Sequence, residues 1–333
     1  MASSSIPTAY RAYRYTEAGD ALEKLSLDSD VPQVAPLPSS HVRIKIHSAA
    51  LNPADYKIVT IAQRFFTVHP IPPPYPIGFD LAGTVVEAGA DVTDYKVGDA
   101  VYGMAHPDNY GTFAEYIALD QQFVAKKPEQ LTFNQAAGIP LVSLTSYQAL
   151  VQYGKVTAGS RVLILGGSSG TGIVAVQIAH ALGAYVIATT SARNAEFVKS
   201  LGADETIDYT SQKWADVLAE HSLDAIYDCG MEPESWNEGA QRVLKTENAH
   251  FVTIGGVANP IESPIGATYH QIMTKPSGED LKEVSKFVAK GELSAHVDSV
   301  FAFEDLFEAI RKLKTNRARG KIVLEIVPEH QKE

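Results

Sequence analysis

The sequence predicts an α/β chain in two parts, a β-rich domain and a doubly wound parallel sheet, and three observations carry that expectation. Short alternating or β-branched runs fill the first third of the chain. From about residue 130 to residue 256, continuous apolar strands alternate with helical runs. Within that alternation a glycine-rich turn joins one strand directly to one helix.

In the first third, VRIKIHSAAL (42–51) alternates and LAGTVVEAG (81–89) is β-branched and ends in Gly. GDAVYG (98–103) and TFAEYIAL (112–119) follow after short turns. Strands this short, punctuated by Gly, Asp and Asn, suggest a partly open barrel or sandwich. HPIPPPYPIG (69–78) holds too many prolines for helix or central strand, so it reads as a stiff loop bordering a cleft or as a polyproline ligand.

The apolar run 134–154 suits buried helix. Strands are then expected at 161–167, 184–190, 205–209, 223–230 and 250–256, with helices at 171–183, 194–202, 213–221 and 235–244 between them. That order implies a parallel sheet covered on both faces. Two further helices (278–291 and 304–314) and a strand (321–327) close the chain, and this end is expected to pack back on the first domain.

At 333 residues the chain has room for two domains of about 150 residues each. Its net charge of -11, from 39 acidic against 28 basic residues, offers no basic surface for phosphates, so no nucleic-acid partner is expected. No stretch approaches the roughly 20 apolar residues of a membrane span, so a soluble protein with no membrane partner is expected. Cys229 is the single cysteine, which excludes an internal disulfide framework or a cysteine-based zinc cluster and favours a reducing compartment such as the cytoplasm. The opening MASSSIPTAYRAYRY carries no acid before Glu17 and suits either a polar tail or an organelle transit peptide.

The strongest chemical signal is VLILGGSSGTGIVAVQIAHALGA (162–184). Gly166, Gly167, Gly170 and Gly172 let the backbone approach a pyrophosphate, and the first free amides of the helix face the anion. The alternative is a glycine turn that merely allows tight helix–strand packing. The spacing departs from G-x-G-x-x-G, but its place between strand and helix supports a Rossmann dinucleotide site. An NAD enzyme sets Asp or Glu about 20 residues beyond the glycines for the ribose 2′-hydroxyl. Here the second strand ends in Thr189, Thr190, Ser191, Ala192 and Arg193, with no carboxylate before Glu196. Hydroxyls and a guanidinium suit a 2′-phosphate, so NADPH is the expected cofactor. A solvated Arg193 in the first turn of the next helix is the competing reading.

No pair of histidines stands at metal-ligand spacing, and Cys229 follows a strand of the second part rather than the first. No G-x-S-x-G elbow supplies a hydrolase nucleophile. The chemistry is therefore expected to come from the cofactor.

SAALNPADYK (48–57), GFDLAGTVVEAGADVTDYKVGDAVYG (78–103), GTFAEY (111–116), LVSLTSYQAL (141–150), the GGSSGTG turn, SLGADETIDY (200–209) and RARGKIVLEI (317–326) together resemble the medium-chain dehydrogenase/reductase superfamily. They are most similar to its zinc-free NADPH:quinone oxidoreductases (zeta-crystallin-like) and the plant enone and 2-alkenal reductases. The resemblance implies a GroES-like catalytic domain built from 1–128 and 276–333 around a Rossmann domain at 129–275, with the active site in the cleft between. Where zinc alcohol dehydrogenases carry His-Glu, this chain has Phe79 and Asp80.

By motif, the resemblance places Asn52 and Thr145 beside the nicotinamide and its ribose. It sets Ser168, Ser169, Gly170 and Thr171 on the pyrophosphate, Ser191 and Arg193 on the 2′-phosphate, and Tyr209 near the adenosine. Cys229, Gly255 and Lys321 follow as further cofactor neighbours. The relatives' usual GAAGGVG turn is GGSSGTG here. The implied activity is hydride transfer from NADPH to a quinone or an α,β-unsaturated ketone, without zinc or flavin. Tyr56 and Lys57, after the NPAD turn, are candidate donors to the acceptor oxygen; core packing of Tyr56 and a surface ion pair for Lys57 stand beside that reading. Phe65, Phe66, Tyr75 and Phe79 suit either an aromatic acceptor pocket or the core. A trans-acting enoyl reductase for a carrier-bound acyl chain and a non-catalytic NADPH-binding protein are the alternatives. Analogy implies a homodimer or higher homo-oligomer, with 250–260 as a pairing edge.

Overall fold

The computed structural model describes residues 6–61, 72–106 and 111–328, so Phe65, Phe66 and residues 69–71 of the proline-rich run lie outside the described residues. The chain forms two compact units. The first comprises Met1–Leu141, Pro276–Ser285 and Ala295–Glu333, and the second Val142–Lys275 and Lys286–Ser294. No helix among the described residues is long and apolar enough to cross a membrane.

The first unit opens with β1 (Ala9–Tyr15), which pairs antiparallel with β2 (Ser26–Pro32) and with β4 (Tyr75–Pro76). Its larger sheet is built on β3 (His41–Leu51). Val42, Ile44 and Ile46 on one face of β3 are fully buried, as its alternation requires. Arg43 breaks the pattern. It is 4% exposed because its guanidinium meets Glu87, Gln33 and the Val34 carbonyl, so the charge is buried with partners. Asn52 then turns the chain into helix α1 (Pro53–Thr60), where a proline at the first position gives up no intrahelical bond.

β5 (Asp80–Ala88) lies antiparallel to β3, followed by β6 (Ala100–Met104) and β8 (Val124–Lys126), while β7 (Tyr116–Asp120) pairs with β3. The run 134–154 is not one helix. It divides into α2 (Phe133–Ala137) and α3 (Pro140–Tyr147), because Gly138 ends the first and Pro140 cannot donate back into it.

The second unit is a six-stranded parallel sheet of β9 (Arg161–Leu165), β10 (Tyr185–Thr190), β11 (Glu205–Asp208), β12 (Ala225–Asp228), β13 (His250–Thr253) and β14 (Thr268–Gln271). They stand in the order β11-β10-β9-β12-β13-β14. Val162, Leu163, Ile164 and Leu165 are all fully buried, the mark of a strand covered on both faces. Helix α4 (Gly170–Ala181) buries every residue from Gly172 to Ala179. Its polar Gln177 is accommodated because its oxygen accepts the Ser294 amide at 2.9 Å. Helix α5 (Ala195–Ser200) follows β10.

The edge expected at 250–260 is corrected by the sheet order. β13 is paired on both sides, and the short strand β14 takes the edge position at this end. TYHQ carries too little apolar patterning to announce a strand.

The tail supplies α6 (Gly278–Ala289), β15 (Val297–Ala302), α7 (Leu306–Lys314) and β16 (Lys321–Glu325). β16 lies between β15 and β3, with Ile322 opposite Leu51 and Glu325 opposite Ser48. This pairing puts Lys321, the first residue of β16, next to the end of β3, where Asn52 follows.

Candidate active site

In the second unit the GGSSGTG segment is a turn that only glycine can build. Gly166 has φ +85, and a Cβ on Gly172 would stand 2.1 Å from the Gly166 carbonyl oxygen. The Gly166 amide donates to Thr189 Oγ1 at 2.9 Å, and the Gly167 amide to the Thr189 carbonyl at 2.8 Å, which fastens the turn to the end of β10. Ser169 is the N-cap of α4, its hydroxyl accepting the Gly172 amide at 3.0 Å. That leaves the amides of Gly170 and Thr171 at the helix start, the position where a helix offers donors to an anion. Ser168 precedes them in the turn, half-buried.

Cys229 lies underneath. Its thiol donates to the Leu165 carbonyl at 3.0 Å and sits 3.7 Å from Ser169 Oγ, and burial pushes its pKa up to about 12. It supports the turn from below as a neutral, inert group.

At the end of β10, Thr190 is 1% exposed and its hydroxyl has no hydrogen-bond partner among the described residues. Ser191 and the exposed Arg193 follow in a single 3-10 turn, Ala192–Asn194. Tyr209, 59% exposed, stands just beyond β11, its amide donating to the Thr190 carbonyl at 3.3 Å. The glycine cradle, the free helix amides and the orphaned Thr190 hydroxyl fit a dinucleotide, and no carboxylate ends β10.

Thr145 and Gly255 were expected as cofactor neighbours, whereas Asp228 and Thr253 were not singled out in the sequence. Asp228, at the end of β12, accepts the Thr253 hydroxyl at 2.9 Å and the Glu232 amide, and burial raises its pKa to about 6. Thr253 Oγ1 in turn accepts the Gly255 amide at 2.9 Å, so Gly255 belongs to this network. Thr145 is 2% exposed, and its hydroxyl is 2.5 Å from that of Thr274.

In the first unit the residues after β3, at the start of β5 and at the start of β16 form a buried polar cluster. Asn52 Nδ2 donates to Asp80 Oδ2 at 2.9 Å, Lys321 Nζ donates to the same oxygen at 3.2 Å, and Lys321 also donates to Asn52 Oδ1. Asp80 Oδ1 accepts the Leu141 amide at 2.8 Å. Asp55 Oδ2 accepts the Asn52 amide at 2.6 Å, while its Oδ1 is buried without a partner among the described residues.

Burial raises the Asp55 pKa to about 8, with the Asp80 charge adding to it, so Asp55 is mostly neutral at pH 7. Burial also raises Asp80, opposed first by the Lys321 charge. The sequence picked out Asn52 and Lys321 singly. The NPAD spacing, an N-cap followed three residues later by an acid, was the available signal for Asp55.

Tyr56 and Lys57 do not join this cluster. The Tyr56 ring lies under the Lys314 ammonium, 5.7 Å from Nζ to the ring centre, and Lys57 is exposed. Among the described residues no group of three or more His, Cys, Asp or Glu side chains converges to hold a metal ion. Phe79 and Tyr75 stand inside the first unit, Phe79 4% exposed and Tyr75 against Tyr15 at 5.3 Å between ring centres.

Residues 38–129 match the family described as alcohol dehydrogenase GroES-like domain, and residues 201–324 that described as zinc-binding dehydrogenase. The chain is 36% identical over 338 residues to 2-methylene-furan-3-one reductase of Solanum lycopersicum, spanning 98% of this chain and 81% of that protein. It is 34% identical over 339 residues to the chloroplastic NADPH-dependent alkenal/one oxidoreductase of Arabidopsis thaliana, spanning 98% and 82%. The solved structure of the quinone oxidoreductase from Coxiella burnetii aligns at TM-score 0.81 and 29% identity, covering 95% of this chain and 99% of that one. The glycine turn, the parallel sheet that carries it and these full-length similarities agree: the chain is an oxidoreductase of the medium-chain dehydrogenase/reductase family, with the quinone and enone oxidoreductases.

Proposed function

We propose that this protein is an NADPH-dependent reductase of quinones or α,β-unsaturated ketones that works without zinc or flavin. The observation that carries the reading is the end of β10, where hydroxyls and the exposed Arg193 stand in place of the acid that selects NAD. The amides of Gly170 and Thr171, with the Ser168 and Ser169 hydroxyls, would hold the pyrophosphate. Ser191 and Arg193 would take the 2′-phosphate, and Tyr209 the adenosine side. Thr145 and Gly255 are cofactor neighbours in this reading, with Cys229 acting through the turn it supports.

When bound, the reduced nicotinamide supplies a hydride from C4. The polypeptide's part is to orient and to polarise. Asn52 has both ends of its amide fixed, by Asp80 and by Lys321, so it presents a rigid edge rather than a mobile donor. Tyr56 and Lys57 are the proposed donors to the acceptor oxygen, and the exposure of Lys57 leaves its ammonium able to reach one. The Asn52–Asp80–Lys321 cluster gives an internal cation where zinc relatives carry a metal-associated pair, which supports zinc-independent chemistry.

We further place the protein in the cytoplasm as a homodimer, with the β14 edge as the ladder through which two copies would pair. An organelle leader is the competing location.

Absorbance at 340 nm with NADPH, screened against quinones and enones after dialysis with a chelator, tests the reading. Turnover that survives chelation is expected, and loss on chelation would overturn zinc independence. NADPH binding without turnover of any acceptor would indicate a non-catalytic binding protein. In the same assay Arg193→Ala should raise the apparent NADPH constant about tenfold and leave that for NADH nearly unchanged. Equal effects would remove Arg193 from this role. Replacing Tyr56 and Lys57 together without loss of kcat/KM would remove them as donors.

A further inference from the structure

Asp228 closes β12, and both of its carboxylate oxygens accept the Glu232 amide, at 3.2 and 3.1 Å. Glu232 is held at its side chain as well, where Oε2 accepts the Trp214 indole N–H at 3.0 Å. Cys229, Gly230 and Met231 therefore turn the chain back between two anchored points, and Met231 takes φ +59. Apart from glycine, Asn and Asp enter this left-handed region most readily. Of the six non-glycine residues with positive φ among the described residues, Met231 alone is apolar, so the clasp rather than the side chain imposes the conformation.

This short loop packs on the phosphate turn on one side and on Gly255 on the other. A Cβ on Gly166 would stand 3.1 Å from both N and Cα of Gly230, and a Cβ on Gly255 would stand 2.9 Å from Met231 Cβ. Gly255 is itself fixed by Thr253, whose hydroxyl accepts its amide and donates to Asp228. Met231 is nonetheless 49% exposed, so a strained backbone holds a long apolar side chain half in water. The sheet order says what it faces. β10 and β11 lie on one side of β9, with Thr190 and Arg193 beyond β10, and β12 and β13 lie on the other. A dinucleotide bound across the reversal between β9 and β12 sets its adenosine half over the first pair and its nicotinamide half over the second.

We infer that Met231 is a cofactor-contacting residue, held in the left-handed region by the Asp228 clasp so that its thioether packs against the nicotinamide half of the bound dinucleotide. A thioether is polarisable and adapts to a flat ring. The inference rests on the dinucleotide reading proposed above and needs no preference between NADPH and NADH.

Methyl-labelled methionine marks four positions in the full-length protein, and Met231→Leu identifies the Met231 resonance. NADPH and NADH should both shift that methyl signal, whereas 2′,5′-ADP, which lacks the nicotinamide half, should leave it in place. In calorimetric titration Met231→Ala should weaken NADPH and NADH alike by about fivefold and leave 2′,5′-ADP within about twofold. Met231→Leu keeps the apolar bulk and should stay within about twofold of wild type for all three. Met231→Gly should weaken both coenzymes as alanine does, while the thermal midpoint holds or rises, because glycine enters this region without strain.

A methyl signal unmoved by NADPH would overturn the inference, as would one that 2′,5′-ADP moves equally. Alanine and glycine variants that bind both coenzymes like wild type would overturn it too. So would losses that extend to 2′,5′-ADP, which would mean that the phosphate turn itself had shifted. A midpoint that falls in Met231→Gly would make the side chain a support of the fold instead. Wild-type protein that takes up none of the three ligands would overturn the dinucleotide reading itself, which separates the two failures.

Discussion

Every polar group of the Asn52 side chain has a partner, and beside the nearby Ala50 carbonyl two of these partners, Asp80 and Lys321, come from distant parts of the sequence. Asp80 and Lys321 share it with opposite charges, both less than 8% exposed at the side chain. Such a pair is a weak source of net stability, since desolvation offsets most of the attraction, but it is costly to break from one side. Lys321→Met should therefore destabilise the protein by about 3–5 kcal/mol in denaturant unfolding, because Asp80 is left buried without its cation. Adding Asp80→Asn should recover part of the loss. A Lys321→Met protein as stable as wild type would mean that Asp80 is already protonated in the fold.

The element that matters most is the β9–turn–α4 unit. β9 brings four fully buried residues up to Gly166, and the chain reverses into α4 through contacts too close for any side chain at Gly172. Ser169 contributes as an ordinary N-cap, so Ser169→Ala should cost about 1 kcal/mol of stability. Gly172→Ala acts differently. A methyl 2.1 Å from the Gly166 oxygen forces the turn away from the helix start and should weaken NADPH binding about 100-fold. Calorimetric binding that survives Gly172→Ala within about threefold would show that the turn does not hold the dinucleotide. The same element explains why a departure from G-x-G-x-x-G is tolerated: the steric demands fall on Gly166, Gly167 and Gly172, and serines stand at 168 and 169.

For the whole molecule, the shifted groups predict how stability changes with pH. The pKa values of Asp55, about 8, and Asp228, about 6, lie above the unfolded value of about 3.9. Their contributions are complete below that value and are lost as pH rises through the folded pKa. Burial lowers His250 and His270, with Lys155 adding to both, so their contributions are present above an unfolded pKa of about 6.5 and are lost as pH falls below it. The thermal midpoint should accordingly peak near pH 6 and decline on both sides. Asp55→Asn keeps an acceptor for the Asn52 amide and cannot ionise, so it should flatten the decline between about pH 6 and 9. Parallel curves for wild type and Asp55→Asn would show that Asp55 ionises normally in the fold.

The sequence by itself determined the two kinds of sheet, the glycine turn and the missing acid after β10, because these depend on local properties: side-chain period, backbone freedom and the residues within one strand–turn–helix unit. It also named Asn52 and Lys321, though only as separate residues. Tertiary structure decided that β16 runs beside β3, and with that pairing the buried cluster of Asn52, Asp80 and Lys321, whose members are up to 269 positions apart. It also decided that Asp228 reaches Thr253 and that β14 rather than β13 is the edge strand. No local pattern encodes which strands become neighbours. That choice follows from burying two apolar faces at once, and the charges it encloses are fixed only when the sheet is complete.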